Sequence, residues 1–341
     1  MDLDTLHKGR QTIVFDRHPV ILAHSAIAGK KESEGPLAGF FDHTETDTRF
    51  GQKTWEKAET RLQELALDTA RSKAQLQYSD LDVLFAGDLL NQCISSAFAI
   101  RDTRIPFLGL YGACSTMAES LTLAAAAVNA GYAVRAAALT SSHFATAERQ
   151  YRFPLGYGGQ RTPTAQWTVT GSGCCIVGAE GSGPFINCAT ISRIEDYGIK
   201  DANNMGAAMA PAAYSTLRAH FADTGLRPQD YDLIVTGDLG TLGSTIVTDL
   251  FQRDGVEFGA NYRDCGVLIY DLKRQDVHAG GSGCGCGASV LCGYLLRQLR
   301  EKKINSLLFC ATGALMSPVS TWQGESIPAI CHAISISNER R

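Results

Sequence analysis

The sequence predicts an α/β protein built from two similar halves, and an internal repeat is the main reason. Leu76–Leu89 (LQYSDLDVLFAGDL) recurs 150 positions later as Leu226–Leu239 (LRPQDYDLIVTGDL). A weaker duplication, at an offset of 170, places Ala118–Ser142 over Ala288–Thr312, and both copies have the pattern of a helix followed by an apolar strand. Self-similarity at so long a period indicates two related units.

The length of the chain and one loop-forming cluster place the boundary between these units. A chain of 341 residues is long enough for two domains of ordinary size. Glu180–Pro184 (EGSGP) lies between two apolar runs and has the composition of a connection. We therefore expect an N-terminal half at residues 1–180 and a C-terminal half at residues 184–341.

Each copy of the repeat predicts a helix followed by a buried strand. Thr54 is expected to cap a helix that contains Ala58–Ala70, where apolar residues recur every three to four positions. The equivalent helix is expected around Ala213–Thr224. The runs Val83–Ala86 and Leu233–Thr236 are continuously apolar, which is typical of strands covered by helices on both faces.

The composition excludes several classes of protein. With 45% apolar residues, 19% charged residues and a net charge of −4, the chain has no basic stripe of the kind that binds nucleic acid. Its first ten residues are not a signal peptide, because they include acidic residues and no apolar core. Leu121–Leu139 contains Asn129 and Arg135, so we expect a buried helix running into a strand and no transmembrane segment.

The eleven cysteines are expected to be free thiols in a reducing compartment. Neither Cys174-Cys175 nor Cys284-Gly-Cys286 has the paired spacing of a zinc site. We expect no bound metal and no cofactor. The repeated acids Asp88 and Asp238 are expected to accept backbone hydrogen bonds where a strand ends, the alternative being that they hold calcium.

Cys114 is the first candidate for a functional residue. It lies in Gly112–Thr116 (GACST), after a predicted strand at Phe107–Leu110 and at the start of a predicted helix. A helix N-terminus favours a thiolate, and Thr116 with Glu119 has the spacing of a capping box. The structural alternative is a small residue selected for packing.

These features together resemble the thiolase superfamily. The resemblance rests on the two related halves, on GACS at the start of an Ala-rich helix, on Thr168–Gly178 (TVTGSGCCIVG) and on Cys310–Ala314 (CATGA). It implies a thiolase-like fold in a layered αβαβα arrangement, with Cys114 at the position of the acylated nucleophile.

The partners that a condensing enzyme supplies are absent from the corresponding motifs. In such enzymes a histidine comes just after the second-half strand, but here that strand ends at Gly237-Asp238. Cys284 takes the position of their asparagine. Since a cysteine nucleophile needs a base and an oxyanion hole, we expect no enzyme activity. The alternative is an acyltransferase or condensing enzyme that uses Cys114 with His143 or His278.

Longer stretches resemble one branch of the superfamily, the stage V sporulation protein AD family of endospore-forming bacteria. They are Ala145–Phe153, Thr168–Gly173, Asp196–Pro211, Thr236–Gly240 and Gly280–Ser289. The resemblance implies non-enzymatic binding of dipicolinic acid (pyridine-2,6-dicarboxylate) for its uptake, with calcium, into the developing spore. It also implies membrane-embedded partners encoded in the same operon, and a location in the forespore or spore, peripheral to the inner membrane.

Dipicolinate is a flat dianion, so its site needs hydrogen-bond donors and positive charge. The helix starts after the two glycine-rich turns are expected to supply backbone N–H groups, and arginines are expected to bind carboxylates. Asn204 lies where thiolases place substrate-channel loops. The expected ligand-binding residues are Cys114, His143, Arg149, Arg152, Asn204, Cys284 and Gly285. The structural alternative for Arg149 is an ion pair with Glu148 or Asp196.

Two further interpretations concern assembly. The first is an assembly subunit whose inherited pocket is empty and whose function is docking to membrane partners. The second interpretation is a homodimer, because the superfamily commonly dimerises through the strand that follows the nucleophile helix. Ala136–Ser142 is apolar enough to be that strand.

Overall fold

The computed structural model describes residues 6–151 and 160–340. The strands, in chain order, are β1 (His7–Lys8), β2 (Thr12–Val14), β3 (Val20–Ala28), β4 (His43–Thr44), β5 (Val83–Gly87), β6 (Phe107–Leu110), β7 (Arg135–Ser142), β8 (Trp167–Thr168), β9 (Gly171–Gly178), β10 (Phe185–Thr190), β11 (Leu233–Thr236), β12 (Tyr262–Asp264), β13 (Gly281–Ser282), β14 (Ser306–Ala314) and β15 (Ala329–Ser337). The helices are α1 (Lys30–Ser33), α2 (Trp55–Lys73), α3 (Ile94–Ile100), α4 (Thr116–Asn129), α5 (Phe144–Tyr151), α6 (Met205–Thr224), α7 (Gly240–Arg253), α8 (Cys265–Leu268), α9 (Cys284–Val290), α10 (Leu296–Arg300) and α11 (Pro318–Trp322), and a π-helical segment at Leu291–Leu295 joins α9 to α10.

The two halves have the same strand order. In the first half the order is β3-β9-β7-β5-β6, and in the second it is β10-β15-β14-β11-β12. In each half the second strand is antiparallel to both neighbours and the last three are parallel. The predicted junction, Glu180–Pro184, lies in the connection between β9 and β10.

The elements form five layers. Helices α4 and α9 pack between the two groups of strands, α2 covers the outer face of the first group, and α6 and α7 cover that of the second. This confirms the thiolase-like, layered αβαβα arrangement. It also brings the N-terminal ends of α4 and α9 to the junction of the halves.

The predicted helices form, with some difference in length. The hydroxyl of Thr54 caps α2 by accepting a hydrogen bond from the backbone N–H of Lys57. Helix α6 begins earlier than expected, at Met205, and ends where Gly225 takes a left-handed conformation with φ of 73°. The segment predicted to be a buried helix and strand is α4 followed by β7. In the described residues, no helix is both long and apolar enough to cross a bilayer.

The repeated acids explain the repeat physically. Asp82 accepts hydrogen bonds from the backbone N–H groups of Val134 and Arg135, at the start of β7. Its copy, Asp232, accepts the equivalent bonds from Asn305 and Ser306, at the start of β14. Each acid thus joins two neighbouring strands, so the repeat records a local structural requirement.

Two predictions about the segment around Cys114 are wrong. No capping box forms at α4, because the helix is entered through a 3₁₀ turn at Ala113–Ser115, the Thr116 hydroxyl donates to the carbonyl of Ala113, and Glu119 Oε2 has no hydrogen-bond partner. The strand at Ala136–Ser142 cannot pair with another copy, because it lies inside the sheet between β5 and β9. The edge strand of that half is β6.

Candidate functional site

A cavity opens at the junction of the two halves. It holds about 450 Å³ of empty space, including its mouth. Its walls come from the starts of α4, α6 and α9 and from α5 and β8. Lining residues include Cys114, Glu148, Tyr151, Met205, Ser282 and Met316.

Cys114 lies at the base of this cavity. Only 7% of the residue is exposed, and its thiol lies near enough to the Asp238 carboxyl to lower the pKa of that acid. The preceding residue, Ala113, has a left-handed backbone with φ of 51°, which tightens the turn before α4. Cys114 therefore lies next to an acid from the other half of the protein.

Asp238 is fully buried and held by several donors. Its carboxylate accepts hydrogen bonds from the Thr312 hydroxyl (2.8 Å), the Gly283 backbone N–H (2.9 Å) and the Ser282 hydroxyl (3.3 Å). Burial raises the pKa of Asp238 to about 6, although Cys114 and the hydrogen bond from Thr312 act in the opposite direction. This group is therefore poised to exchange a proton close to neutral pH.

No histidine is among the described residues that line the cavity. The ring of His143 lies elsewhere, with Nε2 2.8 Å from the carbonyl oxygen of Thr48 and Nδ1 accepting from the N–H of Ala145. These contacts and burial, which lowers its pKa, describe a neutral ring with both nitrogens occupied. His278 lies 3.2 Å from Asp276 in a partly exposed pair. Neither of the proposed alternative bases reaches Cys114.

The turn before α9 contributes its backbone more than its side chains. Ser282 and Gly283 line the cavity, whereas Cys284 is fully buried and its thiol donates to the carbonyl of Ser141. Cys284 packs directly behind the wall, against Leu89 and Ala147. The N–H of Gly285 donates to the Ser142 hydroxyl, so it is already occupied.

The remaining predicted residues have different positions. Arg149 forms an ion pair with Glu56, not with Glu148 or Asp196, and does not line the cavity. Arg152 lies outside the described residues. Asn204 precedes the first residue of α6, and its Oδ1 is buried without a hydrogen-bond partner, next to the cavity wall at Met205.

A buried acid pair lies behind the Cys284 side of the cavity. Asp88 accepts hydrogen bonds from the N–H of Leu90 and from both the N–H and hydroxyl of Ser96. Glu59 accepts from the hydroxyls of Ser141 and Thr146. Burial, followed by the charge of Asp88, raises the pKa of Glu59 to about 8. In the described residues, no group of three or more His, Cys, Asp or Glu side chains is arranged to hold a metal ion.

Comparison with known proteins identifies the family. The sequence model of stage V sporulation protein AD (SpoVAD) matches residues 9–337. The chain belongs to the SpoVAD family. It is 47% identical over 327 residues to stage V sporulation protein AD of Bacillus subtilis (strain 168), covering 96% of each chain. It is therefore a sporulation protein.

Solved structures similar to this SpoVAD-family chain confirm the thiolase-like fold. Human mitochondrial 3-ketoacyl-CoA thiolase (TM-score 0.58, 12% identity) aligns over 95% of this chain and 99% of its own. The 3-oxoacyl-[acyl-carrier-protein] synthase III of Aquifex aeolicus VF5 (0.58, 12%) covers 94% and 99%. OleA of Xanthomonas campestris bound to cerulenin (0.60, 12%) covers 95% and 97%. At this identity the likeness establishes the fold alone.

The sequence analysis did not predict that α5 lines the cavity or that Asp238 lies next to Cys114. Ala147, Glu148 and Tyr151 all line the cavity, because Ala147 and Glu148 lie four and three residues before Tyr151 and so share its face of the helix. That spacing was available in ATAERQY. The proximity of Asp238 to Cys114 could not be predicted from the sequence, because it depends on how the two halves pack.

Proposed function

We propose that this protein binds dipicolinic acid in the Cys114 cavity, without catalysis, during the uptake of that acid into the developing spore. The proposal starts from membership of a sporulation family and from the dipicolinate binding that the sequence resemblance implies. The observation that carries it is the position of the Cys114 thiol in the wall of a cavity, next to the buried Asp238 carboxyl.

This pair argues for binding over acyl transfer. A cysteine nucleophile reacts as the thiolate and needs a base that accepts its proton. Ionising both Cys114 and Asp238 would place two negative charges in one buried cluster, which is costly. A neutral thiol in the cavity wall instead offers a ligand a small, weakly polar contact surface.

The cavity supplies both parts of a site for a small planar acid. Leu89, Ala147 and Met205 form apolar walls that suit a pyridine ring, while Ser282 and Thr168 contribute hydroxyl groups. Because the pKa of Asp238 is raised to about 6, protonation at mildly acidic pH reduces its repulsion of a carboxylate. Both features favour an acid ligand.

The test is calorimetric titration of the full chain with dipicolinate, with pyridine-2,4- and pyridine-3,5-dicarboxylate as controls. We expect heat of binding with the 2,6 isomer and at least tenfold weaker binding of the other two, since only one spacing of carboxylates fits a fixed set of donors. Equal affinity for all three, or no heat with any, would contradict the proposal.

The alternative acyltransferase function has its own readout. Incubation with acyl-coenzyme A thioesters, followed by mass spectrometry of the intact chain, is expected to give no covalent adduct. An acyl group attached to Cys114, and absent from Cys114→Ala, would establish acyl chemistry and overturn the non-catalytic assignment.

We also propose membrane proteins of the same sporulation operon as partners, at the inner membrane of the forespore or spore, and a homodimer formed through β6. The outer edge of β6 has no strand partner in the described sheet, and Leu108 is 55% exposed. Leu108→Arg is expected to convert a dimer to a monomer in light scattering. An unchanged molecular mass, whether dimer or monomer, would exclude this edge as the interface.

A further inference from the structure

A second cavity lies across α5 and β8 from Cys114. It holds about 670 Å³ of empty space, including its mouth, and shares no lining residue with the Cys114 cavity. Phe144 of α5 and Trp167 of β8 line the second cavity, whereas Ala147 and Thr168 of the same elements line the first. These two elements therefore form a partition between the cavities.

The walls of the second cavity are aromatic. The rings of Trp167 and Phe144 are stacked, with centroids 4.0 Å apart and an interplanar angle of 12°. Trp55 lines another wall and lies against the ring of His143, at 5.6 Å between centroids. Rigid indole and phenyl surfaces of this kind favour a planar ring as the occupant.

The cavity also carries positive charge that the described residues leave unpaired. Lys30 and Lys31 line it, and no described side chain forms an ion pair with either ammonium group. Lys31 Nζ lies 4.1 Å from the centroid of the Trp167 ring, and the guanidinium of Arg161 lies 4.7 Å from the same centroid. Arg161 is paired with Asp276 at 2.9 Å, whereas Lys31 has no ion pair of this kind among the described residues.

Asp276, Glu32 and Glu34 offset part of this charge, since each raises the pKa of Lys31, but none of them forms an ion pair with it among the described residues. Glu32 lines the cavity, but burial raises its pKa to about 7 despite hydrogen bonds from the Tyr270 hydroxyl and the Thr170 backbone N–H. It is therefore only partly ionised at neutral pH. Burial, and then the charge of Arg161, lowers the pKa of Lys31, and an anion beside that ammonium group would relieve both effects.

We propose that this cavity is a second binding site, for a small planar aromatic carboxylate. The ring packs against the indoles of Trp55 and Trp167, and the carboxylate pairs with Lys31 and Lys30. A cation of the same shape is repelled by the two lysines, and a neutral ring gains only the apolar contact. The inference stands independently of whether dipicolinate occupies the Cys114 cavity.

The chain supplies its own reporters for a test. Trp55 and Trp167 line the cavity, while Trp322 is 84% exposed and lies on α11, outside it. We propose titrating the full chain with 2-naphthoate while recording the indole N–H signals in ¹H–¹⁵N spectra, each assigned with a Trp→Phe variant. The comparison ligand is 2-naphthylmethylammonium, which has the same ring and the opposite charge.

We expect 2-naphthoate to shift the Trp55 and Trp167 signals saturably and to leave Trp322 in place. Lys31→Met is expected to weaken binding about tenfold, the loss of one charge-assisted contact. The matched control is Lys303→Met, which removes an exposed lysine paired with Glu301 and is expected to leave the affinity unchanged.

Three results would overturn this inference: unshifted Trp55 and Trp167 signals, equal affinity for the cationic ring, or full affinity in Lys31→Met. Cys114→Ala separates the two sites, because it is expected to weaken dipicolinate binding and to leave the naphthoate shifts unchanged. Failure of dipicolinate to bind would thus count against the proposed function alone.

Discussion

Asp88 and Asp238 occupy the same place in the two halves, yet their surroundings differ. Both follow the repeated strand, and both face a cysteine at the start of a central helix of the other half. The Asp238 carboxyl lies next to the Cys114 thiol, beside an open cavity. On the Asp88 side the thiol of Cys284 donates to the carbonyl of Ser141 instead, and the cysteine is fully buried.

The difference shows how a duplicated framework can keep one site and close the other. The Asp88 side is filled by Glu59, whose carboxylate is held by two hydroxyls, so that junction has become core. At the Asp238 side the corresponding space remains open. Substitutions on the two sides should therefore affect different properties, with stability dominant at Asp88 and ligand affinity at Cys114.

The largest expected effect is on stability. Asp88→Ala leaves the Leu90 N–H and two donors of Ser96 without an acceptor in the core, and each buried unsatisfied group costs about 1–3 kcal/mol. We expect the free energy of unfolding in urea to fall by roughly 4 kcal/mol. Asp238→Ala is expected to cost about half as much, since cavity water can replace the carboxylate. Equal losses would show that water does not reach Asp238.

The next effect is the pH dependence of stability. The pKa of Glu59 is about 8 in the folded chain, against an ordinary value of 4.5. The folded state therefore binds this proton more tightly than the unfolded state does. The resulting stabilisation is complete below about pH 4.5 and is lost as the pH rises to 8. Each unit of difference between the two pKa values corresponds to about 1.4 kcal/mol. Glu59→Gln is expected to flatten the decline in unfolding free energy between pH 5 and pH 8. Glu64→Gln, on the same helix but exposed and paired with Arg61, should keep the wild-type slope.

A smaller effect separates the two cysteines. Cys114→Ala removes the thiol from the cavity wall, and dipicolinate affinity measured by calorimetry is expected to fall about tenfold. Cys284→Ala is the symmetric control, since that thiol already donates to the Ser141 carbonyl, and its affinity should stay within about twofold of wild type. A reversed order would place the ligand on the Cys284 side.

The smallest effect is the pH dependence of dipicolinate affinity. A dianion favours the protonated form of Asp238, so affinity is expected to fall roughly threefold as the pH rises through 6, the effect of one screened charge. Asp264 is the other acid close to Asp238, and burial raises its pKa to about 7. Asp238→Asn should abolish most of the dependence. A dependence that persists in this variant would assign it to Asp264.

The sequence predicted the elements of the fold better than the contacts of the site. The repeat, the cap at Thr54 and the apolar strands are local patterns, and all of them formed. It was harder to predict whether a strand lies at the edge or in the interior of the sheet, because a strand at the centre of a sheet and a strand at an interface are both apolar. Ala136–Ser142 was misassigned for that reason.

The misplaced site residues share one physical cause. His143 and Arg149 were expected at the cavity because they follow a first-half strand, but long-range partners fix both. The ring of His143 contacts the carbonyl oxygen of Thr48, which lies 95 positions away in the sequence. Arg149 forms an ion pair with Glu56 of α2. Polar side chains of this kind are positioned by whichever partner the tertiary fold brings near, which local sequence cannot specify.

The backbone at Gly237 lies close to β14, which limits the space for a side chain at this position. A Cβ placed on Gly237 would lie 3.1 Å from the Ala311 Cα and 3.2 Å from the Thr312 nitrogen, both on β14. Adding a side chain there requires β14 to move by a few tenths of an ångström, and β14 also carries the Thr312 hydroxyl that holds Asp238. A side chain at Gly237 would therefore disturb the hydrogen bond that holds the Asp238 carboxylate next to Cys114.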